Sequence, residues 1–181
     1  MITKVTITIC AALAAGTLAA FGNEEPKATT GSTSQEPNER MRKIDAEVTK
    51  VEEKMPKLTR KETTLKPGAL VKATAEKWTK IHTYSDGEKI ERLKVYPPAG
   101  SQKTEEFYYD NNQLVLVFIE PAGAGKAGHD TNAKGTKYYF HNKGLFAVMS
   151  DGKMIDPLDD KARAMGKKLQ LESKIFREAA K

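Results

Sequence analysis

Glu106-Phe107-Tyr108-Tyr109-Asp110-Asn111-Asn112-Gln113-Leu114-Val115-Leu116-Val117-Phe118-Ile119 reads as one β-hairpin. Two aromatic and β-branched runs flank a short Asp-Asn-Asn-Gln turn, and Asn and Asp tolerate the positive φ that a tight hairpin turn needs. The pattern returns at Tyr138-Tyr139-Phe140-His141-Asn142-Lys143-Gly144-Leu145-Phe146-Ala147-Val148. Upstream, Asp86-Gly87 is a strong hairpin signal, and pairing across it sets Thr83 opposite Ile90, Ile81 opposite Arg92 and Trp78 opposite Val95. Residues 70–84 then read as a long strand or a bent pair, and residues 58–66 as a basic connector. Downstream, Asp151-Gly152 turns the chain into a short strand over 153–155. The result is an antiparallel meander of six or seven strands.

Helical periods flank the meander. Met41, Ile44, Val48, Val51 and Met55 recur at helical steps and place one apolar stripe on a charged helix over residues 37–55, ended by Pro56. At the other end, Asp156 is the expected N-cap and Pro157 the first residue of a helix reaching Ala180, with Asp159 and Asp160 where the helix dipole favours acid. Leu158, Ala162, Met165, Leu169 and Phe176 make its stripe, widened by Leu171 and Ile175. The expected fold is α+β: an N-terminal helix, an antiparallel β-meander of six or seven strands, and a C-terminal helix packed on the sheet.

Strict alternation from a two-residue turn puts Phe107, Tyr109, Leu114, Leu116 and Phe118 on one face, and Tyr108, Val115, Val117 and Ile119 on the other. The second hairpin divides Tyr138, Phe140, Leu145, Ala147 and Met149 from Tyr139, Phe146 and Val148. Both faces are apolar and want cover. Either each helix takes one face, or both share one and leave an aromatic face open to a partner.

Residues 1–22 have the anatomy of a secretory signal: Lys4 as positive n-region, an apolar run over 5–21, and Ala20-Phe21-Gly22 as a small-x-small cleavage site. Cleavage would leave Asn23 first, and would reduce the net charge from +6 to +5 (29 basic minus 24 acidic residues) by removing Lys4. Cys10, the only cysteine, lies inside that signal, so the mature chain would have no disulfide or thiol chemistry. Ile9 before it is too large for lipoprotein processing. Residues 23–37 are small and polar, the composition of a disordered linker, and 38–181 form a single α+β domain. These features point to a periplasmic or secreted monomer with no stable membrane span.

The histidines His82, His129 and His141 are spread over a strand, a loop and a turn, as exposed polar residues without metal-ligand spacing. No metal or other cofactor is expected. In the glycine- and alanine-rich loop 121–135, Gly123-Ala124-Gly125-Lys126-Ala127-Gly128 lacks the Ser or Thr after lysine that a phosphate loop needs. Lys126 and Lys134, with Lys137 and Lys143 near them, should make one end of the sheet basic.

The aromatic-turn-Leu units at 108–114 and 139–145 resemble hairpin units in small exported bacterial proteins of unassigned function and, more distantly, MORN-type hairpin repeats. That resemblance implies an antiparallel sheet and no activity. The expected function is therefore non-enzymatic binding of an envelope or extracellular protein, or of an anionic envelope polymer, and not of nucleic acid. Tyr108, Tyr139, Lys126, His129 and Lys134 are the candidate binding residues. The alternatives are an extracytoplasmic hydrolase using His129 and Asp130, and an inhibitor-like module presenting the 121–135 loop.

Overall fold

A computed structural model describes residues 35–99, 103–121 and 134–181. Residues 1–34, with the expected export signal and most of the linker, lie outside the described residues, as do Lys126, His129 and Asp130.

The chain enters through helix α1, Gln35–Lys54, which starts inside the expected linker, and a single 3-10 turn, Met55–Lys57. Eight antiparallel strands follow in strict chain order: β1 Thr59–Thr64, β2 Lys80–Asp86, β3 Lys89–Tyr96, β4 Lys103–Asp110, β5 Gln113–Pro121, β6 Thr136–His141, β7 Gly144–Ser150 and β8 Lys153–Ile155. A short helix α2, Val71–Thr74, lies between β1 and β2, and helix α3, Asp160–Ala179, closes the chain. The α+β class and both packed helices are as expected.

The strand count is higher than six or seven because residues 58–66 are not merely a connector. Thr59-Arg60-Lys61-Glu62-Thr63-Thr64 pairs with β2 along its whole length. It has no apolar alternation because it is an edge strand, where charged side chains discourage pairing with other chains. Residues 70–84 are not one strand either. Ala75 caps α2 with φ 59°, and β2 begins only at Lys80. Trp78 before it is buried, its ring edge-on to Phe176 at 5.5 Å.

Three hairpins, β2–β3, β4–β5 and β6–β7, share a bulge, and the last two also share a turn type. Asn111 and Asn112 have φ of 47° and 62°, and Asn142 and Lys143 have 48° and 62°, the paired positive φ of a type I′ turn. The upstream turn is centred on Gly87-Glu88 and not on Asp86-Gly87: Asp86 faces Lys89 and Ser85 faces Ile90. Tyr84 then faces Arg92, Thr83 faces Leu93 and Ile81 faces Val95, which corrects the expected register. Each hairpin has an extra residue shortly after its turn. Tyr109 faces Leu114 but Tyr108 faces Leu116, and Phe140 faces Leu145 but Tyr139 faces Ala147. Glu91, Val115 and Phe146 are the bulge residues.

A bulge aims two consecutive side chains to the same side and reverses alternation beyond it. Val115 and Leu116, and Phe146 and Ala147, accordingly pack together against Met41, Ile44, Val48 and Val51 of α1, with Tyr108 and Tyr139. Phe107, Tyr109, Val117, Tyr138, Phe140 and Leu145 pack with Leu169 and Phe176 of α3. Leu116, Ala147 and Met149 are therefore on the opposite face from the one that strict alternation assigns them. Each helix takes one face, and Phe107, Tyr108, Tyr109, Tyr139 and Phe140 of the two aromatic hairpins are all buried.

The last helix is capped by Asp159, not Asp156. Asp159 Oδ1 accepts from the backbone of Lys161 at 2.9 Å and Ala162 at 3.2 Å. Asp156 caps the preceding turn, accepting from Leu158 N at 2.8 Å. Leu158 and Leu171, expected in the buried stripe, are exposed, and Glu172 and Ser173 are buried in it.

Candidate functional site

Tyr108 and Tyr139, the two aromatic candidates for binding, are 1% and 2% exposed. Both lie beneath α1, the face that alternation along β4 and β6 gives them opposite Tyr109 and Tyr138. The Tyr108 hydroxyl lies 2.8 Å from both Glu52 Oε1 and Glu106 Oε2, and its single proton serves one of the two at a time. Arg92 Nη2 also reaches Glu106 Oε2, at 2.6 Å, and Lys94 Nζ reaches its other oxygen at 2.6 Å. Burial pulls the Glu106 carboxyl upward, but the Arg92 and Lys94 charges overcome it and hold it below the ordinary range. The Tyr139 hydroxyl donates to Asp45 Oδ1 at 3.1 Å, and Lys137 Nζ lies 3.4 Å from the same oxygen. These groups fasten α1 to the sheet. They are a buried polar seam and not a docking surface.

His82 is also interior, 6% exposed, which corrects its reading as an exposed residue. Its Nε2 lies 2.8 Å from Glu62 Oε2 and its Nδ1 3.0 Å from the Tyr96 hydroxyl. Burial, then the nearby Arg60 and Lys80 charges, push the imidazole below its ordinary value against the pull of Glu62. His141 is exposed at its turn. Lys134 is exposed at the start of β6, but Lys137 is buried and Lys143 stands at the opposite end of that strand, so no single basic sheet end unites them. Among the described residues no group of side chains has metal-binding geometry, and no helix is long and apolar enough to cross a membrane.

One cleft open to solvent lies at the turn end of the sheet, between α3 and the β4–β5 and β6–β7 turns. It encloses about 220 Å³, and its walls carry Lys143, Lys174 and Arg177 but no carboxylate. Its floor is Tyr109, whose hydroxyl lies 2.9 Å from Ser173 Oγ; both residues are buried. Burial pushes the Tyr109 phenol far above its ordinary value, so it stays protonated.

Arg177 is held in place. Its Nη1 donates to the Asn112 carbonyl at 3.0 Å, its Nη2 to Asn112 Oδ1 at 3.3 Å, and its guanidinium lies 5.3 Å from the centre of the Tyr109 ring. Gln170 Nε2 donates to the Lys143 carbonyl at 2.7 Å and fixes the second turn. The Lys143 and Lys174 ammonium groups form no ion pair among the described residues. Such a cleft can take an anionic group of modest size, since three cationic residues line it and no carboxylate does.

Sequence reasoning included Lys143 in a basic end but missed its partners. The signal was present on α3: Gln170, Ser173, Lys174 and Arg177 recur at helical spacing, a polar stripe beside the apolar one. Neither stripe shows which turns it will face, because that depends on the sheet register. Comparison with known protein families, curated proteins and solved structures finds no match for this chain.

Proposed function

We propose that this chain is an exported, non-enzymatic binding domain that captures an acidic segment of an envelope or extracellular protein in the turn-end cleft. The observation carrying this reading is a cleft lined by Lys143, Lys174 and Arg177 and by no carboxylate. The N-terminal sequence pattern supports export. The pinned Arg177 favours binding, since a preorganised guanidinium loses little freedom when an anion arrives. The cleft's volume of about 220 Å³ suits a side-chain carboxylate or a short acidic run better than a drug-sized ligand. With Tyr108 and Tyr139 buried beneath α1, this reading takes the rim of the cleft as its site.

The test is titration of wild-type protein and the Lys143→Glu/Lys174→Glu double variant with an oligoglutamate peptide, at low and at physiological salt. Wild type should bind, more weakly as salt rises, and the variant should lose roughly tenfold or more, given exposed charges worth up to about 1 kcal/mol each. Equal affinity in both proteins would remove the cleft from the function. Retained affinity for an anionic polysaccharide with none for the peptide would replace the protein partner by an envelope polymer.

A further inference from the structure

Beneath α3, on the face away from α1, charge is buried without balance. Glu105 comes from β4 and is wholly buried; Glu172 of α3 is 1% exposed. Lys168 of α3 lies 2.9 Å from Glu172 Oε1 and 2.9 Å from Glu76 Oε1, in the segment between α2 and β2. Lys103, at the start of β4, lies 3.1 Å from Glu76 Oε1 and 3.3 Å from Glu105 Oε1. Tyr138 of β6 faces the same group as a neutral phenol. Three carboxylates (Glu76, Glu105 and Glu172) thus meet two ammonium groups (Lys103 and Lys168), which leaves one negative charge in excess when all are ionised. Both oxygens of Glu105 and Oε1 of Glu172 accept no well-aimed hydrogen bond.

A buried carboxylate without hydrogen bonds is costly, and two near each other cannot both ionise cheaply. One proton settles the charge count and supplies a donor. We propose that Glu105 and Glu172 share one proton in the folded protein near neutrality, and that losing it loosens α3, making this helix a pH-sensitive cover over the sheet. Glu172 adjoins Ser173, whose hydroxyl closes the cleft floor on Tyr109. Loosening α3 therefore also opens the floor of the turn-end cleft.

The electrostatics agree with the geometry. Burial first, and the Glu105 charge second, push the Glu172 carboxyl up to about 7. Burial raises Glu105 too, against the opposing pull of Lys103 and Lys168. A carboxyl raised in the folded state binds its proton more tightly there than in the unfolded chain. Stability therefore falls as pH rises from the ordinary carboxyl value of 4.5 to about 7, and levels off above. His82, lowered by burial, works in the opposite direction as pH rises toward its ordinary 6.5, so the contribution must be read as a difference between proteins.

The experiment is urea unfolding of the full chain, wild type against Glu172→Gln, at several pH values from 5 to 8.5. The variant balances the cluster at two charges of each sign. Its unfolding constant relative to wild type should fall as pH rises, by up to about tenfold per pH unit through the window, as for a single-proton linkage, and then stay flat. A ratio that is the same at every pH overturns the proposal. Carboxyl ¹³C NMR of the wild type needs no variant: a glutamate titrating near neutrality supports the shared proton, and no glutamate titrating above about pH 6 overturns it. Amide exchange in α3, corrected for intrinsic rate, should be less protected at pH 8.5 than at pH 6, and unchanged protection would remove the loosening.

Discussion

The hydroxyls of Tyr108 and Tyr139 show how a residue that reads as a binding group becomes a structural one. Each ring is apolar enough to be buried, and each tip finds a carboxylate across the seam to α1. Tyr108→Phe keeps the ring but removes the donor to Glu52 and Glu106, where a charged partner makes a hydrogen bond worth about 1.5–3 kcal/mol. Urea unfolding should show a loss of that order, with peptide binding at the cleft unchanged. A lost affinity with unchanged stability would restore the open-face reading. Gly166 of α3 poses the opposite case. Alanine there gains up to about 1 kcal/mol of helix propensity. Its Cβ, however, would lie 2.9 Å from Leu145 Cδ2 and 3.0 Å from Leu145 Cβ, and the latter cannot swing away. Gly166→Ala should therefore lower the melting temperature, whereas propensity alone would raise it.

At the scale of elements, the bulged hairpin is the unit of construction. The two aromatic-turn-Leu stretches were legible because turn chemistry and strand composition agree there. Their faces were not, because a bulge is a single inserted residue that leaves no mark in composition: Val115 and Phe146 look like any strand residue. The third unit, around Tyr84 and Arg92, was hidden further because Glu91 and Arg92 stand where the others have apolar pairs, and Arg92 is buried only with Glu106 beside it. Strand β1 was illegible for the reason that edges are: its stability lies in backbone pairing, not in side-chain pattern. The buried stripes of α1 were legible throughout, while α3 hid its interior Glu172 among charged neighbours. Deleting Val115 should test the bulge directly. Regular pairing would then keep Leu114 opposite Tyr109 and Leu116 opposite Tyr108, each on its present face, so cooperative unfolding should survive at a lower urea concentration, because the contact of Val115 with α1 is lost. A deletion variant that unfolds cooperatively at the wild-type urea concentration would mean the bulge is dispensable.

For the molecule as a whole, the two covers and two edges set a gradient of stability across the sheet. The middle strands are closed on both faces: Phe107, Leu116 and Val117 are each 0% exposed. The edges differ from one another. On β1, Arg60, Lys61 and Glu62 guard the open side, and Lys61 Nζ also donates to the carbonyls of Ala180 at 2.8 Å and Lys181 at 2.6 Å, tying the first strand to the end of the chain. On β8, Met154 and Ile155 are exposed, with exposed Leu158 just beyond, and the strand is only three residues long. Shortness is the protection available to an apolar edge. Local opening should therefore cost least at β8, somewhat more at β1, and the whole unfolding free energy at β4 and β5. Native-state amide exchange on the dilute protein should rank the strands in that order, and Phe107, Leu116 and Val117 should exchange with the same urea dependence as global unfolding. Raising the protein concentration should leave the order unchanged for a monomer. Protection of Met154 and Ile155 that grew with concentration, while β1 stayed open, would show that a second chain had paired with the apolar edge, and Met154→Lys should then abolish that gain with little effect on stability.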